Sequence, residues 1–116
     1  MSVTSFRELT VWQKSLQLTK SVYEITNKLP ATEQFGLTSQ LRRCAVSIPS
    51  NIAEGQQRRN RKEYRQFLGI AKGSAAELET QLILVKDIYK INVESLLNQL
   101  DEIQRMITVL SSRLSA

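Results

Sequence analysis

The chain has no histidine, one cysteine, two prolines and four glycines in 116 residues. Without histidine it lacks the commonest general base and the commonest ligand for zinc and iron. A carboxylate-bridged di-iron bundle of the Glu-x-x-His kind is excluded, and so is the Arg…His pair of small helical ribonucleases. The lone Cys44 permits no intramolecular disulfide and fits a reducing compartment. It lies on the apolar side of a helical pattern and reads as a small buried hydrophobe. No apolar run approaches the roughly 18 residues of a membrane span, and MSVTSFRELT lacks a signal-peptide pattern; a cytoplasmic protein is expected. There is no Gly-rich phosphate loop, no Cys/His metal spacing and no nucleophile–base pair. The absences argue against an enzyme: no catalytic residue, no metal ligand and no cofactor is expected. So little glycine and proline leaves little material for turns, and few, long elements should follow.

What is present is helical periodicity, over one expected domain spanning residues 1–116. Leu9, Trp12, Leu16, Thr19, Tyr23 and Thr26 form one seam of a first helix, residues 10–29. Val11, Leu18, Val22, Ile25 and Leu29 form a second seam beside it. Trp12 reads as a core anchor rather than a ligand platform, and Pro30 should end the helix. Thr32 is the expected N-cap of a second helix, residues 33–57, with Glu33 in its first turn. Leu37, Leu41, Cys44, Ala45, Ile48 and Ile52 make its apolar stripe. Pro49 falls inside that stripe and removes the N–H that the Ala45 carbonyl needs. The helix should kink or restart there, with Ser47, Ser50 or Asn51 satisfying the freed groups. Ser39, Arg43, Ser47, Ser50 and Glu54 make a polar edge, either solvated or a seam in a subunit interface or pore. Gly55 is the expected C-terminal cap.

Asn60 and Glu63 have the spacing of a capping box for a third helix, residues 61–89. Tyr64, Leu68, Ala71, Ala75, Leu78, Leu82, Val85 and Tyr89 follow in an unbroken heptad seam. Gly69, Gly73, Ser74, Ala75 and Ala76 should let another helix approach closely. Asn92 is the expected cap of a fourth helix, residues 93–114, with Val93, Leu96, Leu100, Ile103, Ile107, Leu110 and Leu114 inward. The expected fold is all-α, an up-down-up-down four-helix bundle with its second helix kinked at Pro49. The apolar faces are broader than one such core requires, which points to homo-oligomerisation.

The formal net charge is +5, and the run Arg58, Arg59, Arg61, Lys62, Arg65, opposed only by Glu63, carries most of it. Guanidinium forks suit phosphate, and a helix N-terminus beside them adds free N–H groups. The alternatives are a solvated turn that serves solubility, or a dock for an acidic protein. Arg42 and Arg43 extend the patch only if the fold brings them near. Glu77, Glu79, Asp87, Asp101 and Glu102 are read as outer charges or inter-helix ion pairs, not as paired catalytic carboxylates; Glu77 and Glu79, two apart on a helix, do not face each other.

FRELTVWQKS, FGLTSQLRRCAVSIPSNIAEG and EYRQFLGIAKGSAAELETQL together resemble the small four-helix bundle proteins encoded in intervening sequences of bacterial 23S rRNA genes. The accessory variability proteins of diversity-generating retroelements are similar to these. The resemblance runs from about Phe6 to Leu114. It implies a protomer that closes into a homopentameric ring, no established catalytic residues, and, for the retroelement kind, nucleic acid and a reverse transcriptase as partners. It places the family's arginine pair on Arg42 and Arg43 and its basic turn on Arg58–Arg65. The leading expectation is a non-enzymatic homo-oligomer, a pentamer, that binds RNA or DNA phosphates through the basic turn. The alternative is a scaffold oligomer whose partner is another protein, with the turn merely solvated.

Overall fold

The computed structural model describes residues 5–115; residues 1–4, part of the segment read for a signal peptide, lie outside them. Four helices follow one another: α1 (Thr10–Thr26), α2 (Leu37–Gln56), α3 (Arg61–Tyr89) and α4 (Glu94–Leu114). Short 3-10 turns at Phe6–Glu8 and Ala31–Glu33 precede α1 and α2. The helices pack as α1–α2, α2–α3, α3–α4 and α1–α4 in a closed square, 45 × 22 × 20 Å overall. Ser47 meets Ser74 while Gly55 meets Tyr64 and Phe67, so α2 and α3 are antiparallel. Lys14 to Glu102 and Gln104 to Glu79 set the other neighbours antiparallel likewise. This is the up-down-up-down bundle, with no strand among the described residues.

The core is the set of heptad seams. From Leu68 to Val85 every seam residue of α3 is buried, and Tyr64 and Tyr89 close its two ends half-buried. In α4 the residues from Val93 to Ile107 are buried, with Leu110 and Leu114 packed against the core. In α1 only the Val11–Leu29 seam is fully inside; Leu9, Trp12 and Leu16 are half-buried and Tyr23 is exposed.

The helix ends depart from the expectations in three places. First, α1 stops at Thr26, and Lys28 and Leu29 turn back with i−3 hydrogen bonds before Pro30. Second, Thr32 caps nothing: it sits in the 3-10 turn, and α2 begins only at Leu37, whose N–H donates to the Glu33 carboxylate at 3.1 Å. Third, Gly55 is not a cap; it lies within α2, buried, and the chain leaves the helix at Gln57 in a right-handed conformation. Its role is close approach. A Cβ there would stand 2.9 Å from Phe67 Cβ and 3.0 Å from Tyr64 Cδ1. Gly55→Ala should therefore lose stability by about 1–3 kcal/mol, since overpacking exceeds the gain in helix propensity; urea unfolding measures it. Gly69 and Gly73, expected at a contact, are on the outside, where an added Cβ meets nothing within 4 Å. Ala71, Ser74 and Ala75 make the thin inner face instead. The Asn60 cap is present, accepting from the Glu63 N–H at 2.8 Å. Asn92 caps the Glu94 N–H at 3.0 Å, with α4 starting at Glu94.

Helix α2 runs through Pro49 without restarting. The Ala45 carbonyl that the proline leaves without its helical donor accepts instead from Thr19 Oγ1 of α1, at 3.2 Å. The help comes from the neighbouring helix, not from Ser47, Ser50 or Asn51. Asn51 donates back to the Ser47 carbonyl at 2.8 Å, and Ser47 Oγ pairs with Ser74 Oγ at 2.7 Å. So part of the polar edge of α2 is a seam between α2 and α3, while Arg43, Ser50 and Glu54 are exposed.

Cys44 is buried within that seam. Burial pushes its thiol up, and the Glu77 carboxylate 3.7 Å from Sγ adds to the shift. The thiol stays protonated and inert, as a packing residue should.

Tyr89 at the end of α3 donates its hydroxyl to Glu33, which also caps α2. The tyrosine bond and then the Leu37 N–H hold the Glu33 carboxyl below the usual range; the bond to Glu33 raises Tyr89. A depressed carboxylate contributes stability above its unfolded pKa, and the contribution is lost as pH falls through its folded value. The raised tyrosine contributes below its own unfolded range and loses that as pH rises through its folded value. The contact is thus complete between about pH 4 and 10. The Tm advantage of wild type over Glu33→Gln should shrink as the solution is acidified below about pH 4.

Candidate nucleic-acid interface

The basic run divides between a loop and a helix. Arg58 and Arg59 lie in the connection after α2, and Arg61, Lys62 and Arg65 lie in the opening turns of α3. All five are exposed. Arg58 is held on two sides, 3.5 Å from Glu54 and 4.6 Å above the centre of the Phe67 ring. Such an exposed i,i+4 pair is worth at most about 1 kcal/mol, so Arg58 exchanges it readily for a phosphate. Cations in the first turn of a helix oppose its dipole, each by about 0.3–1 kcal/mol. An anion bound there would reverse that sign.

The antiparallel topology gathers more charge to this end than the sequence order suggests. Dividing each helix at its midpoint leaves ten cations and three acids in residues 5–18, 47–75 and 104–115. The opposite half holds six cations and eight acids. Arg7 and Arg113, far from the basic run in sequence, are brought to the same pole. Arg65 and Lys72 also flank a shallow depression of about 310 Å³ shared with Thr108, Ser111 and Ser112. The molecule is strongly dipolar along its long axis.

The fold does not bring Arg42 and Arg43 to this pole. Arg42 precedes Arg58 by sixteen residues of helix, about 24 Å. Its guanidinium donates to Thr26 Oγ1 at 2.9 Å and Asn27 Oδ1 at 3.2 Å, and lies 4.5 Å over the Tyr23 ring. It ties the end of α1 to α2. Arg43 is exposed in the same distant half.

The acids behave as outer charges. Glu102 pairs with Lys14 at 3.0 Å, Asp101 with Arg105 at 3.1 Å, and Glu79 accepts from Gln104 at 3.2 Å. Among the described residues no group of three or more acids or cysteines could hold a metal, and no helix is long and apolar enough to cross a membrane.

The outward side of α3 carries a feature missed in the sequence. Ile70 is 52% exposed, Leu84 41% and Ile88 56%. With Gly73 they line one side of the helix, Ile70 and Ile88 being five turns apart. The heptad seam had drawn attention to the opposite face.

The family model for the 23S rRNA-intervening sequence protein matches residues 7–109. The chain belongs to that family. A solved structure similar to this intervening-sequence protein is a protein of unknown function from the S23 ribosomal protein family of Bacteroides thetaiotaomicron. It is 29% identical, with a TM-score of 0.80 over 88% of this chain and 98% of the other. No curated protein matches. The family thus fixes a small helical protein of unknown function and brings no catalytic assignment.

Proposed function

We propose that this intervening-sequence protein is a non-enzymatic homo-oligomer, a pentamer by its family resemblance, that binds RNA or DNA phosphates through the pole bearing Arg58, Arg59, Arg61, Lys62 and Arg65. The observation that carries the reading is the concentration of cations at one end of the bundle. Arg42 and Arg43 are left out of the contact surface, because Arg42 is engaged at the far end. One protomer making about three phosphate contacts would bind weakly, but a ring that repeats the pole gains avidity of about 10²–10⁴ when the contacts are simultaneous. The exposed Ile70–Ile88 side of α3 supplies an apolar surface for self-association. Sequence preference should be low, since phosphate contacts position without reading bases.

The test is a salt titration of binding to unstructured RNA and to duplex DNA. The reading expects log affinity to fall linearly with log salt, by about 0.7 per contact on single strands and 0.9 on duplex. Binding that fails near about 0.15 M salt and has no salt slope below it would reduce the charge to solvation. A protein partner on the apolar α3 surface, of which a reverse transcriptase is the retroelement version, would then lead.

A further inference from the structure

We infer that the groove formed by the first 3-10 turn, α1 and α2 is a stacking subsite for an unpaired nucleobase, so that single strands are held by base as well as by phosphate. This rests on the phosphate-binding reading above. Phe6 and Trp12 touch, with ring centroids 5.2 Å apart and planes tilted by 60°. Both are half-buried. They border an apolar slot of about 300 Å³ whose other walls include Leu16, Val46, Pro49 and Ala53. Val46 is 42% exposed there, an apolar choice at a helix position that faces solvent. Through Phe6, Ser50 and Ala53 the slot adjoins a second, polar depression of about 420 Å³ bounded by Glu54, Gln57 and Arg58.

An apolar slot edged by aromatic rings and ending at a guanidinium matches a nucleotide, which has a flat apolar face and an anionic end. A duplex keeps its base faces stacked and has none to offer. The charge of this pole, ten cations to three acids, favours an anionic occupant over a basic or neutral peptide. Glu54 lies in the same depression, 3.5 Å from Arg58, and an entering phosphate would displace it as that arginine's partner.

Trp12 is the only tryptophan in the chain, so its fluorescence reports on the slot directly. The full chain is titrated with an oligothymidine of about 15 nucleotides and with a duplex of the same length. Saturable quenching by the single strand and none by the duplex is expected. Phe6→Ala should weaken single-strand binding about 5-fold or more and leave duplex affinity unchanged. Phe6 lies outside the core cluster, so this variant should keep its fold, checked by its melting curve. Trp12→Phe is the second variant: it loses the signal but keeps a ring and should bind normally. Salt-sensitive binding with an unmoved Trp12 signal and an indifferent Phe6→Ala variant would overturn the subsite while leaving the phosphate reading intact. Failure of both nucleic acids to bind would overturn both.

Discussion

Replacing Arg58, Arg59 and Arg61 together by glutamate should abolish nucleic-acid binding near about 0.15 M salt, where wild type still binds. The change takes the protomer from +5 to −1 and reverses the field at one pole only. Loss of about three phosphate contacts should also flatten the single-strand salt slope by about 2. The fold should not suffer. All three side chains are exposed, and only the surface pair with Glu54 and the Phe67 stack of Arg58 are known to be lost. An acid at position 61 suits the helix dipole better than an arginine does. Stability equal to or above wild type, together with lost binding, is therefore the expected pair of results. A triple variant that binds normally would remove the basic turn from the mechanism.

The second large effect concerns assembly. Ile70→Glu with Ile88→Glu should bring the particle down to the 13.2 kDa protomer, read by light scattering. Both side chains are more than half exposed, so the protomer's own core is untouched. Buried in an interface, each new carboxylate would be an uncompensated charge, which association cannot tolerate. Affinity for a long nucleic acid should fall by about 10²–10⁴ as multivalency is lost. Affinity for an oligonucleotide short enough to meet one protomer should hardly move. A wild type that is itself monomeric at micromolar concentration would remove the oligomeric half of the proposal.

Much of the bundle was legible because heptad spacing is a local property. The Leu68–Val85 and Val93–Ile107 stripes needed only a count of residues to be placed inside. The helix ends were less legible, since caps compete: Thr32 has the right chemistry, but the Glu33 carboxylate, anchored by Tyr89 from 56 residues away, takes the role. Gly55 looked like a terminator, and only the nearness of Phe67 explains it. The Pro49 vacancy was visible, but its remedy on another helix was not. The same limit applied at the candidate interface. The run Arg58–Arg65 stood out as a string. The convergence of Arg7 and Arg113 on it, the distance of Arg42, and the groove joining Trp12 to Arg58 all depend on which helices are neighbours. Trp12, read as a core anchor, turned out to be half in and half out.

The bond from Thr19 to Ala45 also works as a gauge of height. An ordinary helix offers no inward acceptor for a neighbour to read, because every interior carbonyl is already taken. Pro49 frees one, at a single level, and the Thr19 hydroxyl, which also lies 2.8 Å from the Ser15 carbonyl, can reach it at one vertical alignment only. Greasy side chains tolerate slippage by a turn; this notch does not. Setting α1 against α2 to within one turn decides whether Phe6 and Trp12 stand level with Ala53 and Arg58 or about 5 Å above or below them. A missing N–H in the middle of one helix thus calibrates the far end of the molecule.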